Sequence, residues 1–177
     1  MARIQTPETL MEDVRSELKR LADLTVESGL IRGEYFETRV YQIPGIGTAA
    51  AYAALDGFGT ELRIPDVPTH WMLTQIDYFD PDDEGLLMRV WLANETLGVT
   101  SADNDALVIP DANLRRLRGA PVAISAYGDA NTGQIGSVTS IDRLMYTPNG
   151  LFVQMQSGDV PNIAAGALPS IRFIGLA

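Results

Sequence analysis

The chain has 177 residues, no cysteine, one histidine and a formal net charge of −10. That length suits one domain plus an appendage, the missing thiols exclude a disulfide framework, a thiolate nucleophile and a Cys-based zinc site, and no run approaches the roughly 20 apolar residues of a membrane helix. The acidic balance opposes a phosphate backbone, and Arg115, Arg116 and Arg118, the only local basic cluster, read as cations at the end of a short helix, so neither nucleic acid nor membrane is expected as a partner.

Residues 1–29 read as an amphipathic helix. Thr6 stands where an N-cap belongs and Pro7 at the first helical position. Glu8, Glu12 and Asp13 load the first turns, Lys19 and Arg20 come later, and Gly29 offers a left-handed stop. Leu10, Met11, Val14, Leu18, Leu21 and Leu24 form a stripe of period 3.6, within which Met11, Val14, Leu18 and Leu21 keep the a/d spacing of a coiled-coil seam. The stripe fits either self-association or packing against the chain's own β domain. The opening residues lack the apolar core of a secretory signal, and the chain reads as one made in a cytosol.

Residues 30–59 read as a connecting segment with one strand, 37–43. A Pro44-Gly45-Ile46-Gly47 break follows, then a small-residue run from Thr48 to Leu55 that fits a short helix or a flat strand. From residue 60 to 177 strands alternate with turn residues. They are expected at 60–64, 70–79, 86–92, 120–127, 134–141, 151–156 and 171–176, with a short helix between Pro110 and Gly119 capped by Asp111 and facing inward through Leu114 and Leu117. The segments 70–79 and 86–92, joined by Asp80-Pro81-Asp82-Asp83-Glu84-Gly85, read as a hairpin. Strands at this frequency, with too few helices for βαβ crossovers, predict a mainly β chain: an antiparallel, jelly-roll-like β-sandwich with an N-terminal α-helix.

Segment 70–79 carries apolar groups at both parities, Trp71, Leu73 and Phe79 against Met72, Ile76 and Tyr78, and Leu87 and Trp91 lie opposite the inward set of their own strand. A sheet with one solvated face would not use tryptophan in this way. Trp71, Leu73, Leu87 and Trp91 are therefore the expected interface of the β domain, and the surplus predicts association. Counted from Asp80, the acidic turn puts Trp91 at position twelve, where an EF-hand loop needs its bidentate Glu, and His70 alone cannot supply a metal triad or a His-based catalytic set. No catalytic residue, metal or cofactor is expected, and the chain reads as a non-enzyme.

Segment 64–92 (IPDVPTHWMLTQIDYFDPDDEGLLMRVWL), segment 103–139 (DNDALVIPDANLRRLRGAPVAISAYGDANTGQIGSVT) and the ending NIAAGALPSIRFIGLA together resemble small jelly-roll virion proteins of tailed bacteriophages, the capsid decoration or cement proteins. The resemblance covers roughly the last two-thirds of the chain and carries no active-site signature. It implies a structural protein that stabilises a phage head as a homotrimer on the capsid surface, assembled in the host cytoplasm, with the major capsid protein as partner and the N-terminal segment tying subunits together or binding the lattice. The alternative is a receptor- or glycan-binding β-sandwich of a phage tail or fibre, with Trp71, Trp91 and Tyr127 as a stacking platform.

Overall fold

The computed structural model of the protein describes residues 33–46, 52–82, 87–99, 103–129, 133–161, 163–164 and 167–177. The helix read at 1–29, with Met11, Val14, Leu18 and Leu21, lies outside the described residues, as do Thr48 to Ala51. The chain forms a β-sandwich of two antiparallel sheets. Its strands are β1 (Tyr35–Glu37), β2 (Tyr41–Gln42), β3 (Gly57–Ile64), β4 (His70–Asp80), β5 (Met88–Ala93), β6 (Val122–Ile124), β7 (Tyr127–Asp129), β8 (Gln134–Tyr146), β9 (Leu151–Ser157) and β10 (Ser170–Leu176). One sheet runs β1-β10-β4-β8-β7, with β2 also on β10; the other runs β3-β9-β5-β6. Among the described residues the first strand starts at Tyr35, inside the stretch read as a connection.

The core lies between the sheets. Ile64, Met88, Val90, Leu92, Val122, Ile124, Leu151, Val153 and Met155 point inward from one sheet, as their alternation predicts, and meet Trp71, Leu73, Ile76, Tyr78, Ile171 and Phe173 from the other. Each large apolar side chain so buried contributes about 1.5–3 kcal/mol.

The two-sided apolar pattern of β4 has a different cause from the one its sequence suggests. Between Leu73 and Gln75 the register against β8 jumps from Arg143 to Thr139, so three residues of β8 oppose Thr74 alone. Two of the three, Ser140 and Asp142, take positive φ (56° and 47°). A bulge of this kind shifts the pleat by one residue. Trp71 and Leu73 face inward before it, and Ile76, Tyr78 and Asp80 after it. One buried face is therefore written across both parities. Trp71 and Leu73 are each 0% exposed, so neither offers surface to a second chain, contrary to the expectation from sequence.

Three local expectations are corrected. β4 and β5 are not a hairpin: they lie in different sheets. The strand read at 120–127 is likewise divided, β6 pairing with β5 in one sheet and β7 with β8 in the other. Segment 37–43 breaks after β1, where the Thr38 N–H donates to the Phe173 carbonyl (2.9 Å) and the Thr38 Oγ1 accepts from the Phe173 N–H (3.1 Å). The short helix is a 3-10 helix, Asp111–Arg116, in which Pro110 rather than Asp111 occupies the cap and Leu114 is 48% exposed rather than inward.

Candidate interaction surface

The outer face of the larger sheet is built from four central cross-strand rows. Registered neighbours in an antiparallel sheet project to the same side, so each row can be followed through the pairing. From one end, Ser170–Phe79–Ile135 is followed by Arg172–Asp77–Ser137, then Glu37–Ile174–Gln75–Thr139, then Tyr35–Leu176–Met72–Leu144. Beyond the last row His70 pairs with Tyr146, their rings 4.9 Å apart. Two polar rows are flanked by rows rich in apolar groups.

The polar centre is organised by Asp77, a carboxylate 2% exposed despite pointing away from the core. It accepts hydrogen bonds from Gln75 Nε2 (2.7 Å), Ser137 Oγ (2.7 Å) and Arg172 Nη2 (2.7 Å) and Nε (3.2 Å). Arg172 also approaches Glu37 (3.7 Å) and lies over the Phe79 ring. Burial pushes the Asp77 pKa up, yet the hydrogen bonds from Gln75, Arg172 and Ser137 and the Arg172 charge together hold it below the ordinary carboxylate value. A carboxylate with every donor this close stays ionised and occupied. It pins three strands together and is poorly placed to act as a general base.

The apolar end is open. Tyr35 is 66% exposed and Leu144 69%, while Met72 and Leu176, between them in register, are half-buried. Exposure of two large residues at the ends of a four-strand row, with apolar neighbours bridging them, makes a continuous patch rather than scattered surface hydrophobes.

A second polar group lies inside the sandwich, at the end of β4. Tyr78, Asp80 and Tyr127 line a cavity of about 10 Å³ together with Phe58, Met88, Pro161 and Ile163, room for about one water. Burial first, and Asp80 second, pushes both phenols above their usual pKa, so they stay protonated donors. Asp80 itself is buried, and its Oδ1 accepts from the Asp82 N–H (3.1 Å). Asp82 in turn accepts from the Ala164 N–H. The described part of the acidic turn is thus tied into the fold rather than merely solvated. Among the described residues no three His, Cys, Asp or Glu side chains gather as a metal site.

The residues expected at an interface do not come together. Trp71 and Leu73 are interior, while Leu87 and Trp91 are half-buried. Trp91 belongs to the outer face of the smaller sheet, where its Nε1 donates to Gln156 Oε1 (3.1 Å). Tyr127 packs edge-on to Tyr78 (6.3 Å), so Trp71, Trp91 and Tyr127 share no platform. His70 is exposed and sits against Tyr146 at the edge of the apolar row. Sequence reasoning missed Asp77 and Arg172. The available signal was a charged residue between inward apolar neighbours on each strand, Ile76 and Tyr78 on one and Ile171 and Phe173 on the other. The chain matches no family model and no curated protein.

Proposed function

We propose that the chain is a structural protein of a virion, a homotrimeric decoration protein that stabilises a phage head by bridging capsid subunits, with a jelly roll as its body. The observation that carries the reading is the strand order. Counting β1 with β2 as one strand, since both pair with β10, and leaving aside β7, a short strand folded back antiparallel on β8, the eight remaining strands fall in the order 1-8-3-6 in one sheet and 2-7-4-5 in the other. That order supports a jelly roll, because each early strand lies beside its late counterpart, as in a long hairpin rolled into two Greek keys. Jelly rolls form viral capsid domains, and they also form lectins and cupins, so the fold alone does not choose between these roles.

The surface favours the structural role. The outer face of the larger sheet offers an apolar row beside a fixed ionic centre, which suits a protein contact. The stacking platform that the glycan-binding alternative needs is not assembled, since Trp71 is interior. The test is reconstitution on heads of the phage that encodes the chain, prepared from a mutant lacking it. Added protein is expected to bind those heads as trimers and to raise the temperature at which they release DNA. Sedimentation as a monomer at micromolar concentration removes the trimer, and failure to bind the heads removes the decoration reading.

A further inference from the structure

We propose that Arg118 and Arg143 form a binding site for an oxyanion, a phosphate or carboxylate group, in the gap between the two sheets. The inference does not rest on the virion reading. Its first support is placement. Arg143 is registered with the fully enclosed Leu73, so it projects from the larger sheet into the sandwich, on the same side of β8 as buried Met145. Leu117 is bridged to Ala93, with the Arg118 N–H donating to the Leu92 carbonyl (2.8 Å) and the Asn94 N–H to that of Arg116 (3.2 Å). Arg118 therefore stands opposite Leu92, an inward residue of β5, and projects inward from the smaller sheet.

The two arginines meet at Gly119. A Cβ built there would lie 3.4 Å from Arg143 Cζ, 3.5 Å from its Nε and 3.6 Å from its Nη2, so the guanidinium turns its face to the backbone next to Arg118. Gly119 has a φ of +95°, so this position needs glycine for its turn as well as for the approach.

The second support is what these groups lack. Arg118 Nε and Arg143 Nη1 are enclosed and have no hydrogen-bond partner. Among the described residues neither side chain has an ion-pair partner, although the chain carries 23 Asp and Glu against 13 Lys and Arg. Arg116, two positions away, is by contrast held by Glu95 (3.3 Å) and the Thr96 carbonyl. Burial lowers the Arg143 pKa, and no carboxylate offsets it. A buried charged donor without an acceptor is costly, and two guanidinium groups brought together also repel each other. An oxyanion removes both costs, since the planar fork of a guanidinium matches two oxygens of a phosphate or a carboxylate.

The test uses the full chain and inorganic phosphate, titrated in Tris chloride at constant ionic strength. The Arg118 Nε–H resonance, assigned by its loss in Arg118→Gln, is expected to shift saturably. Melting temperature is expected to rise by about 3–6 °C for each tenfold of phosphate beyond saturation. Phosphate also stabilises folded chains by exclusion from their surface, so the readout is the difference between native and variant chains. Arg118→Gln and Arg143→Gln are expected to lose most of the rise, and Arg143→Lys part of it. Sedimentation in the same titration separates the sources of the anion. An unchanged species assigns the site to a free anion, and conversion of a larger species to a smaller one assigns it to a carboxylate of a second copy. An Arg118 resonance that phosphate leaves unmoved, or an equal rise in native and variant chains, overturns the site.

Discussion

Replacing Trp71 with Phe separates an interior tryptophan from an interfacial one. Trp71 is fully enclosed, its Nε1 donates to Thr147 Oγ1 (2.9 Å), and its ring meets Phe36 edge-on at 5.2 Å between centroids. Phe keeps the inner part of the ring and its contact region near Phe36. It loses the hydrogen bond, about 1 kcal/mol, and leaves a void whose cost is about 1 kcal/mol. Thr147 Oγ1 still donates to the Pro68 carbonyl (2.8 Å), so the loss leaves a partly satisfied hydroxyl rather than an orphan. The sum is about 2 kcal/mol, or roughly 4–8 °C in melting temperature for a chain of this length. Urea unfolding followed by circular dichroism at several protein concentrations measures it, with Trp91→Phe as the half-buried comparison, expected to cost less. The result that refutes the interior placement is a Trp71→Phe chain that loses less than about 0.5 kcal/mol of stability but sediments as a smaller species than the native chain.

Asp77 gives a pH signature. Its folded pKa lies below the ordinary value, so its contribution is fully present above the unfolded value of about 3.9 and is lost as pH falls through the lower folded value. The gap in melting temperature between the native chain and Asp77→Asn is therefore expected to be wide at pH 7 and to close on acidification below about pH 4; a gap constant to pH 2 would contradict the network. Gly136→Ala places a Cβ 2.5 Å from Ile124 Cγ2 and 2.8 Å from Tyr127 Cε1, where the two sheets meet at the β6–β7 crossing, and is expected to cost about 1–3 kcal/mol by calorimetry. Adding EDTA is expected to leave the melting temperature unchanged, because the described carboxylates of the acidic turn already accept backbone N–H groups; a sharp fall that calcium reverses would reopen the turn as an ion site.

The sequence by itself was enough for the mainly β class, for most strand positions and for the inward sets of β5, β6 and β9. Local alternation and the Gly, Pro, Asn and Asp turns act within a few residues, and those signals need no knowledge of what lies opposite. Pairing is a different kind of fact. Segments 70–79 and 86–92 have the pattern of a hairpin, but β4 is drawn between β10 and β8, from distant parts of the chain, and β5 beside β9. Only the closed sandwich decides which edges meet. The bulge opposite Thr74 is equally non-local, since three residues of β8 create it, and it turns an apparent two-faced β4 into one buried face. Trp71 therefore reads as an interface residue in one dimension and is a core residue in three. The centre formed by Gln75, Asp77, Ser137 and Arg172 and the row from Tyr35 to Leu144 exist only through register. Their members are separated by up to 141 positions in the chain and become neighbours because antiparallel pairing projects registered residues to the same side.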